Sequence, residues 1–151
     1  MKKILSLGIA ALLAIPQIAV AGPYTDDLSK CLIGSSTAIE KKNLVQWMFF
    51  AIALNPDVAQ FATISAEDRI ASDKNTARLF ERMLTEACLS ETKLAMRYEG
   101  ENALGQSFKL LGEVAAGEMF NNQAVSSGVE GFTKHLDADL LSKALGMDPE
   151  G

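Results

Sequence analysis

Residues 65–100 read SAEDRIASDKNTARLFERMLTEACLSETKLAMRYEG, and the spacing of their apolar side chains decides the fold class. These side chains recur every three or four positions, which is typical of one face of an α-helix. The predicted face consists of Ala77, Phe80, Leu84, Ala87, Cys88, Leu94 and Tyr98. The pattern predicts one long helix, or two nearly continuous helices that meet near Ser90. Ser65 is a suitable N-cap for this tract, and Gly100 is a suitable end.

The chain before this tract carries further helix boundaries. Thr25, which two aspartates follow, predicts the start of a first helix, because acidic residues favour the positive end of the helix dipole. Thr37 and Glu40 have the spacing of a capping box and predict the start of a second helix. Asn55, with a proline after it, predicts the end of that helix and the start of a short third one.

The chain after Gly100 is also helical in pattern. We expect a helix up to Met119 and two weaker helices at about 123–134 and 138–145. No segment alternates between apolar and polar residues as a half-buried strand would. The sequence therefore predicts a single compact all-α bundle of five to seven helices, packed around the apolar segment 44–54.

Cys31 and Cys88 are the only cysteines, and both lie on apolar helix faces. Two cysteines in an exported chain predict one disulfide, which would link the first helix to the long tract. Closing a loop between residues 57 apart stabilises a fold by about 4 kcal/mol in the chain-entropy model. Two separate reduced thiols are the alternative.

Residues 1–21 have the features of an export signal: two lysines, an apolar run and a small-x-small tripeptide that ends at Ala21. The pattern predicts cleavage between Ala21 and Gly22, which leaves one helical domain over residues 22–151. A membrane anchor is the alternative, although the apolar run is shorter than the roughly 20 residues that span a bilayer. We expect no stable membrane anchor after cleavage, and a location in the periplasm of a Gram-negative bacterium or outside the cell.

The charge of the processed chain bears on its partners. The full chain has 14 basic and 19 acidic residues. Removal of Lys2 and Lys3 with the leader lowers the basic count to 12, so the net charge is about −7. An acidic chain repels phosphate backbones, so nucleic acid is not an expected partner. A basic partner is compatible with this charge.

The segment LVQWMFFAIAL at 44–54 is apolar on nearly every side. A helix of this composition is normally buried at the centre of a bundle. The alternative is that Trp47, Phe49 or Phe50 reaches the surface and anchors a protein partner, because aromatic residues dominate binding energy at interfaces.

The sequence predicts no catalytic residue, no metal site and no cofactor. Ser90 and Lys93 have the Ser-x-x-Lys spacing of some acyl-transfer enzymes, but the companion motifs are absent. His135 is the only histidine, whereas a zinc site usually requires several histidine or cysteine ligands. Glu99 and Glu101 flank a glycine, and an exposed turn explains them better than a catalytic carboxylate pair.

Three short stretches, 31–33, 44–49 and 53–57, resemble a group of small exported helical proteins of Gram-negative bacteria. This resemblance implies a compartment and a helical fold, and it carries no activity. In outline the chain is also similar to periplasmic immunity proteins that block cell-wall amidases and to acid-stress chaperones of the HdeA type. No motif of either class matches this sequence, so no residue role is transferred.

The leading hypothesis is therefore a non-enzymatic periplasmic protein-binding module, such as an immunity or inhibitor protein. An acid-stress chaperone is the alternative, since protonation of carboxylates removes native interactions. A small hydrolase that uses Ser90 and Lys93 is a third hypothesis. Gly105, Gly112 and Ala116 form a small-residue strip that predicts close helix packing within the monomer or, as a second possibility, a homodimer contact.

Overall fold

The computed structural model describes residues 22–147, and every regular element in that range is helical. The all-α prediction is confirmed for these residues. The predicted leader, residues 1–21, and residues 148–151 lie outside the described residues. Ala21, on the leader side of the predicted cleavage site, is among them.

The described residues form eight α-helices. In chain order they are α1 (Pro23–Ser35), α2 (Ala38–Ile52), α3 (Pro56–Ala59), α4 (Ala66–Arg82), α5 (Leu89–Tyr98), α6 (Asn102–Met119), α7 (Gln123–Glu130) and α8 (Ala138–Ala144). A π-helical turn, Met83–Ala87, joins α4 to α5, and a 3-10 segment, Gly131–His135, lies between α7 and α8. The prediction of five to seven helices is thus too low, because the long tract divides into α4 and α5.

The division occurs at Cys88. Its backbone N–H donates to the Met83 carbonyl at 2.8 Å, five residues back, so the turn contains one more residue than an α-helical turn. The backbone of Cys88 leaves the helical region, with φ −124° and ψ 31°. A new α-helix then begins at Leu89, slightly before the predicted junction near Ser90.

Most predicted helix boundaries hold. The Thr37 hydroxyl accepts from the Glu40 N–H at 3.2 Å, and the Glu40 carboxylate accepts from the Thr37 N–H at 2.8 Å, which completes the capping box of α2. Ser65 and Asp137 cap the starts of α4 and α8 with side-chain oxygens. Gly100 follows α5 with φ +78°, a left-handed conformation that glycine adopts without steric cost.

The start of α1 is an exception. Thr25 was expected near the N-cap, but α1 begins at Pro23, Gly22 occupies the N-cap, and no side chain of the first turn caps the helix. Thr25 is instead buried within the helix.

The hydrophobic core surrounds α1. This helix packs against α5 and α6, while α2 packs against α4 and α6. Leu28 and Leu32 of α1 are fully buried. The Ser107 hydroxyl of α6, also fully buried, donates to the Thr25 carbonyl at 3.0 Å and adds a polar contact between these two helices. The core consists of Leu28, Leu32, Leu44, Leu79, Met83, Cys88, Ala95, Ala103, Leu111 and Ala115.

The segment 44–54 is not the centre of the bundle, contrary to the sequence prediction. Within it only Leu44 and Ala53 are buried. Most of it lies on α2, which packs on α4 and α6. Four of its residues are half-buried, and the other five are exposed. An all-round apolar composition did not reveal which face would be covered.

The buried face of α4 also differs from the predicted stripe. The buried residues of α4 are Ser72, Thr76 and Leu79. Ala77 is exposed, as are Leu94 and Tyr98 on α5. Two of the three buried residues of α4 are thus small and polar, and a hydrophobicity pattern does not select them.

Cys31 and Cys88 form the predicted disulfide, with a Cα–Cα separation of 5.9 Å. Cys88 is fully buried and belongs to the core. The bond joins the middle of α1 to the junction between the π-helical turn and α5. The predicted covalent link between the first helix and the long tract is thus confirmed.

Gly112 of the small-residue strip lies at a contact within the monomer. It is buried on α6, and a Cβ atom at this position would lie 3.5 Å from the Met48 sulfur of α2, an ordinary van der Waals distance. The strip thus faces α2 at this point, although the packing would also accept alanine. A Cβ on Gly105 would meet no neighbouring atom within 4 Å.

Residues 123–147, which we call the C-terminal arm, contain α7, the 3-10 segment and α8. Both predicted tail helices are present, and the first of them continues as the 3-10 segment. No described residue after Ala115 is buried, up to Met147. The core is therefore complete before the arm begins.

Replacement of both cysteines, Cys31→Ser with Cys88→Ser, should lower the free energy of unfolding by about 4 kcal/mol, because the unfolded chain regains its loop freedom. Chemical denaturation of the oxidised protein and of the double variant measures this difference. The wild-type protein with reducing agent is the matched control and should unfold with the same midpoint as the variant. Equal midpoints for the oxidised protein and the double variant would contradict the assignment.

Candidate binding surface

The end of α2 and the chain that leads into α4 expose several large apolar side chains. Their exposed fractions lie between 53% and 79%. They are Phe49, Ile52, Leu54, Phe61 and Ile70, which together we call the α2–α4 apolar surface. The Arg69 guanidinium donates to the Phe50 carbonyl at 2.6 Å, so the start of α4 lies beside the end of α2. The five side chains therefore belong to the same end of the molecule.

The three aromatic residues singled out in the sequence have different environments. Phe49 is exposed and lies 6.2 Å from Phe50, ring centre to ring centre. Trp47 and Phe50 are half-buried. The Trp47 ring N–H donates to the Asp73 carboxylate at 2.9 Å, which ties α2 to α4. Of the three aromatic residues, Phe49 therefore lies at the surface, whereas Trp47 and Phe50 are partly covered.

A cavity of about 180 Å³ lies between α2 and α4 at this end. Its apolar wall is formed by Trp47, Phe50, Ala51 and Leu54, and its polar wall by Arg69 and Asp73. Both polar groups already have partners within the chain, the Phe50 carbonyl and the Trp47 N–H. The cavity therefore offers a partner mainly apolar contact.

Sequence reasoning missed several members of the α2–α4 apolar surface. Phe61 is the most exposed of them, at 79%, and lies between α3 and α4. Its position could have indicated this exposure, because Phe61 is a large aromatic residue in a short connection between two predicted helices. Ile70 lies on α4 away from the buried Ser72 and Thr76, and no sequence pattern separated these faces.

Glu99 supplies the cap that α1 lacks. Its carboxylate accepts from the Tyr24 N–H at 2.9 Å, from the Thr25 N–H at 2.8 Å and from the Thr25 hydroxyl. A carboxylate at this place also complements the positive end of the helix dipole. The Tyr24 and Tyr98 rings stack beside it with centroids 4.7 Å apart. A Cβ on Gly22 would lie 2.2 Å from the Glu99 carboxylate, so any larger residue there would displace the carboxylate from its capping position.

The pKa of Glu99 is lowered from its ordinary value. The hydrogen bond from the Thr25 hydroxyl is the largest cause. Desolvation opposes it, and the N–H groups of Tyr24 and Thr25 reinforce it. Because the folded-state pKa lies below the unfolded one, the stabilisation is complete above the unfolded-state pKa. It is lost as the pH falls through the folded-state pKa.

A second carboxylate, Glu40, connects three helices. It accepts from the Arg82 side chain at 2.7 Å, and Arg82 also donates to the Ser35 carbonyl at 3.2 Å. Burial on its own raises the pKa of Glu40, but the hydrogen bonds from Thr37 and Arg82 outweigh it and lower the pKa. The ends of α1 and α4 and the start of α2 are thus held by an interaction that requires an ionised carboxylate.

The side chains considered for catalysis lie mostly at the surface of the described part of the chain. The Ser90 hydroxyl donates to the Glu91 carboxylate at 2.8 Å, and Ser90 and Lys93 are both exposed. His135 is exposed at the end of the 3-10 segment. Of the two glutamates expected in an exposed turn, Glu101 is exposed, whereas Glu99 is half-buried because its carboxylate caps α1.

Among residues 22–147, no group of three or more histidine, cysteine, aspartate or glutamate side chains is arranged to hold a metal ion. None of the helices described combines the length and the apolar character needed to cross a membrane. Comparisons of the chain with protein-family models, curated protein sequences and solved structures find no match.

Replacement of Glu99 by glutamine should destabilise the protein at neutral pH, because the charged acceptor at the start of α1 is lost. The melting temperature should fall by several degrees at pH 7, and its dependence on pH below the ordinary carboxyl pKa should become shallower. Glu101→Gln is the matched control, because Glu101 is exposed and, although it occupies the N-cap position of α6, its side chain makes no capping hydrogen bond. Equal melting curves for both variants from neutral to acidic pH would show that Glu99 does not hold α1.

Proposed function

We propose that this protein is a non-enzymatic binding module that is exported to the periplasm, or out of the cell, of a Gram-negative bacterium. In this proposal it occupies a site on another protein, as an immunity or inhibitor protein does. The observation that carries the proposal is the α2–α4 apolar surface on a bundle that a disulfide closes.

The composition of the surface supports a protein partner. Isolated apolar residues on a protein surface are normal, but several large ones at one end of a molecule are typical of interaction sites. Phe61 is a large aromatic side chain that the bundle leaves 79% exposed, and such residues supply much of the energy of an interface. The adjoining cavity has room for an apolar side chain of the partner.

The rigidity of the scaffold supports the same proposal. Trp47 and Arg69 fix the end of α2 to α4 through hydrogen bonds of 2.9 and 2.6 Å. A surface that is already ordered loses less entropy on binding. The net negative charge favours a partner with a basic rim, because opposite charges increase the rate of encounter.

Affinity capture followed by a binding measurement tests the proposal. The oxidised protein is immobilised, incubated with periplasmic extract, and the retained protein is identified and purified. Titration calorimetry should then show that Phe61→Ser weakens binding at least tenfold, since the loss of an anchor residue costs about 2 kcal/mol or more.

The control is Ile39→Ser, because Ile39 is 72% exposed at the opposite end of α2 and outside the α2–α4 apolar surface. It should bind as the wild type does. Equal affinities of the wild type and Phe61→Ser for the purified partner would contradict the proposal. The absence of any partner under several conditions of salt and pH would also count against it.

An acid-stress chaperone is a second candidate, and two ionised carboxylates favour it. Glu99 holds the start of α1, and Glu40 joins α2 to Arg82. Since both pKa values are lowered in the folded protein, both contributions are lost as the pH falls below the ordinary carboxyl range. Release of these contacts would loosen helices and expose core residues such as Leu28.

A pH series tests the chaperone proposal. Fluorescence of an apolar dye and the aggregation of an acid-sensitive client protein are measured from pH 7 to strongly acidic pH. Dye binding should rise in acid and client aggregation should fall, and Glu99→Gln should shift both changes to higher pH. Glu101→Gln again serves as the control. A flat dye signal with no protection of the client would rule this function out.

A further inference from the structure

We propose that Cys31 is the site at which an external thiol opens the disulfide, and that Cys88 is the sulfur that stays in the core and reforms the bond. The thiol that this site favours is small and positively charged. The site lies between α1 and α5 and shares no residue with the α2–α4 apolar surface. The inference therefore does not depend on the proposed function.

The two cysteines differ in their access to solvent. Cys88 is fully buried and belongs to the core. Cys31 is half-buried and lines a surface cavity of about 460 Å³ between α1 and α5. Thiol–disulfide exchange requires direct contact between the incoming thiolate and the sulfur that it attacks. In the folded protein an incoming thiolate therefore reaches Cys31 and does not reach Cys88.

The exchange step needs no reactant other than the incoming thiol. The thiolate sulfur uses its electron pair to form a bond to Cys31 Sγ, the bond between Cys31 and Cys88 breaks, and its electron pair leaves with Cys88 Sγ. One disulfide is consumed and one mixed disulfide is formed on Cys31. The proton that the incoming thiol released on ionisation balances the charge on Cys88.

The surroundings of Cys88 favour the reverse step. The core cluster that contains it is apolar and includes Leu28 and Leu32 of α1. A charged sulfur is disfavoured in such surroundings, although the Ser35 hydroxyl, 3.8 Å from each sulfur, can donate a hydrogen bond to it. Because the same core residues hold α1 in place, Cys88 stays close to Cys31. It can then attack the mixed disulfide and expel the thiol.

The charges beside Cys31 select the incoming thiol. Asp27, Lys30 and Glu91 line the cavity. The Lys30 ammonium is already paired, because it lies 2.6 Å from the Asp26 carboxylate and 3.9 Å from that of Asp27. The cavity and this ion pair together carry three carboxylates and one ammonium. Their field repels a thiol with a carboxylate group and attracts a thiol with an ammonium group.

Trapping of the mixed disulfide in the oxidised wild-type protein tests the site. The protein is incubated with cysteamine, quenched in acid at early times, alkylated with N-ethylmaleimide in denaturant and analysed by peptide mass mapping. Cysteamine on Cys31 with N-ethylmaleimide on Cys88 should exceed the reverse arrangement roughly tenfold or more, because only one sulfur is accessible. The control is the same incubation in denaturant, which should remove this excess.

A comparison of two thiols tests the charge selection. At low ionic strength, and per thiolate, cysteamine should open the disulfide several-fold faster than 3-mercaptopropionate, and high salt should remove most of this difference. Glu91→Gln should reduce the preference. Glu130→Gln is the matched control, because it makes the same change of charge at an exposed position on α7 that does not line the cavity.

Circular dichroism of the same samples shows whether the bundle remains folded during the reaction. Adducts found on Cys88 as often as on Cys31 in the folded protein would overturn the proposal. A disulfide that opens only when the helical signal is lost would also overturn it. Equal rates for the two thiols at low ionic strength, or equal effects of Glu91→Gln and Glu130→Gln, would contradict the selection by charge.

Discussion

The covalent bond between Cys31 and Cys88 is the constraint on which the arrangement of the other helices depends. The loop that it closes contains α2, α3 and α4. The bond therefore fixes the end of this part of the chain next to the middle of α1. The helices outside the loop are joined to α1 by weaker contacts, through Glu99 before α6 and Ser107 within it. The central helix is thus held by one covalent bond on one side and by hydrogen bonds and core packing on the other.

The sequence predicted those features that neighbouring residues determine. The Thr37 and Glu40 capping box, the glycine after α5 and the all-α class depend on residues a few positions apart, and all are present. The disulfide was also predictable, because a chain with two cysteines allows only one pairing within itself. Features that depend on distant residues were not predictable. The cap of α1 comes from Glu99, about 75 positions away, and no local sequence pattern predicts it.

The same limit explains the errors about the core and the candidate site. Composition made 44–54 look like a core helix, yet a helix is buried only where a neighbour covers it. In this segment only Leu44 and Ala53 are buried, and five residues are exposed. Conversely, Ser72 and Thr76 are buried on α4 although their polarity predicts an exposed position. Apolar side chains thus collect in two uncovered regions, the end of the bundle and the arm. The sequence analysis indicated the first region through Trp47, Phe49 and Phe50. Phe61 was identified only from the structure.

The π-helical turn has a consequence for length variation in this chain. The hydrogen bond from Cys88 to Met83 closes this turn over five residues, where an α-helical turn closes over four. The additional residue is therefore accommodated within one wider turn, and the chain on either side continues as α4 and α5. A gain or loss of one residue at this turn is thus compatible with the same direction of Cys88 and Glu99 towards α1.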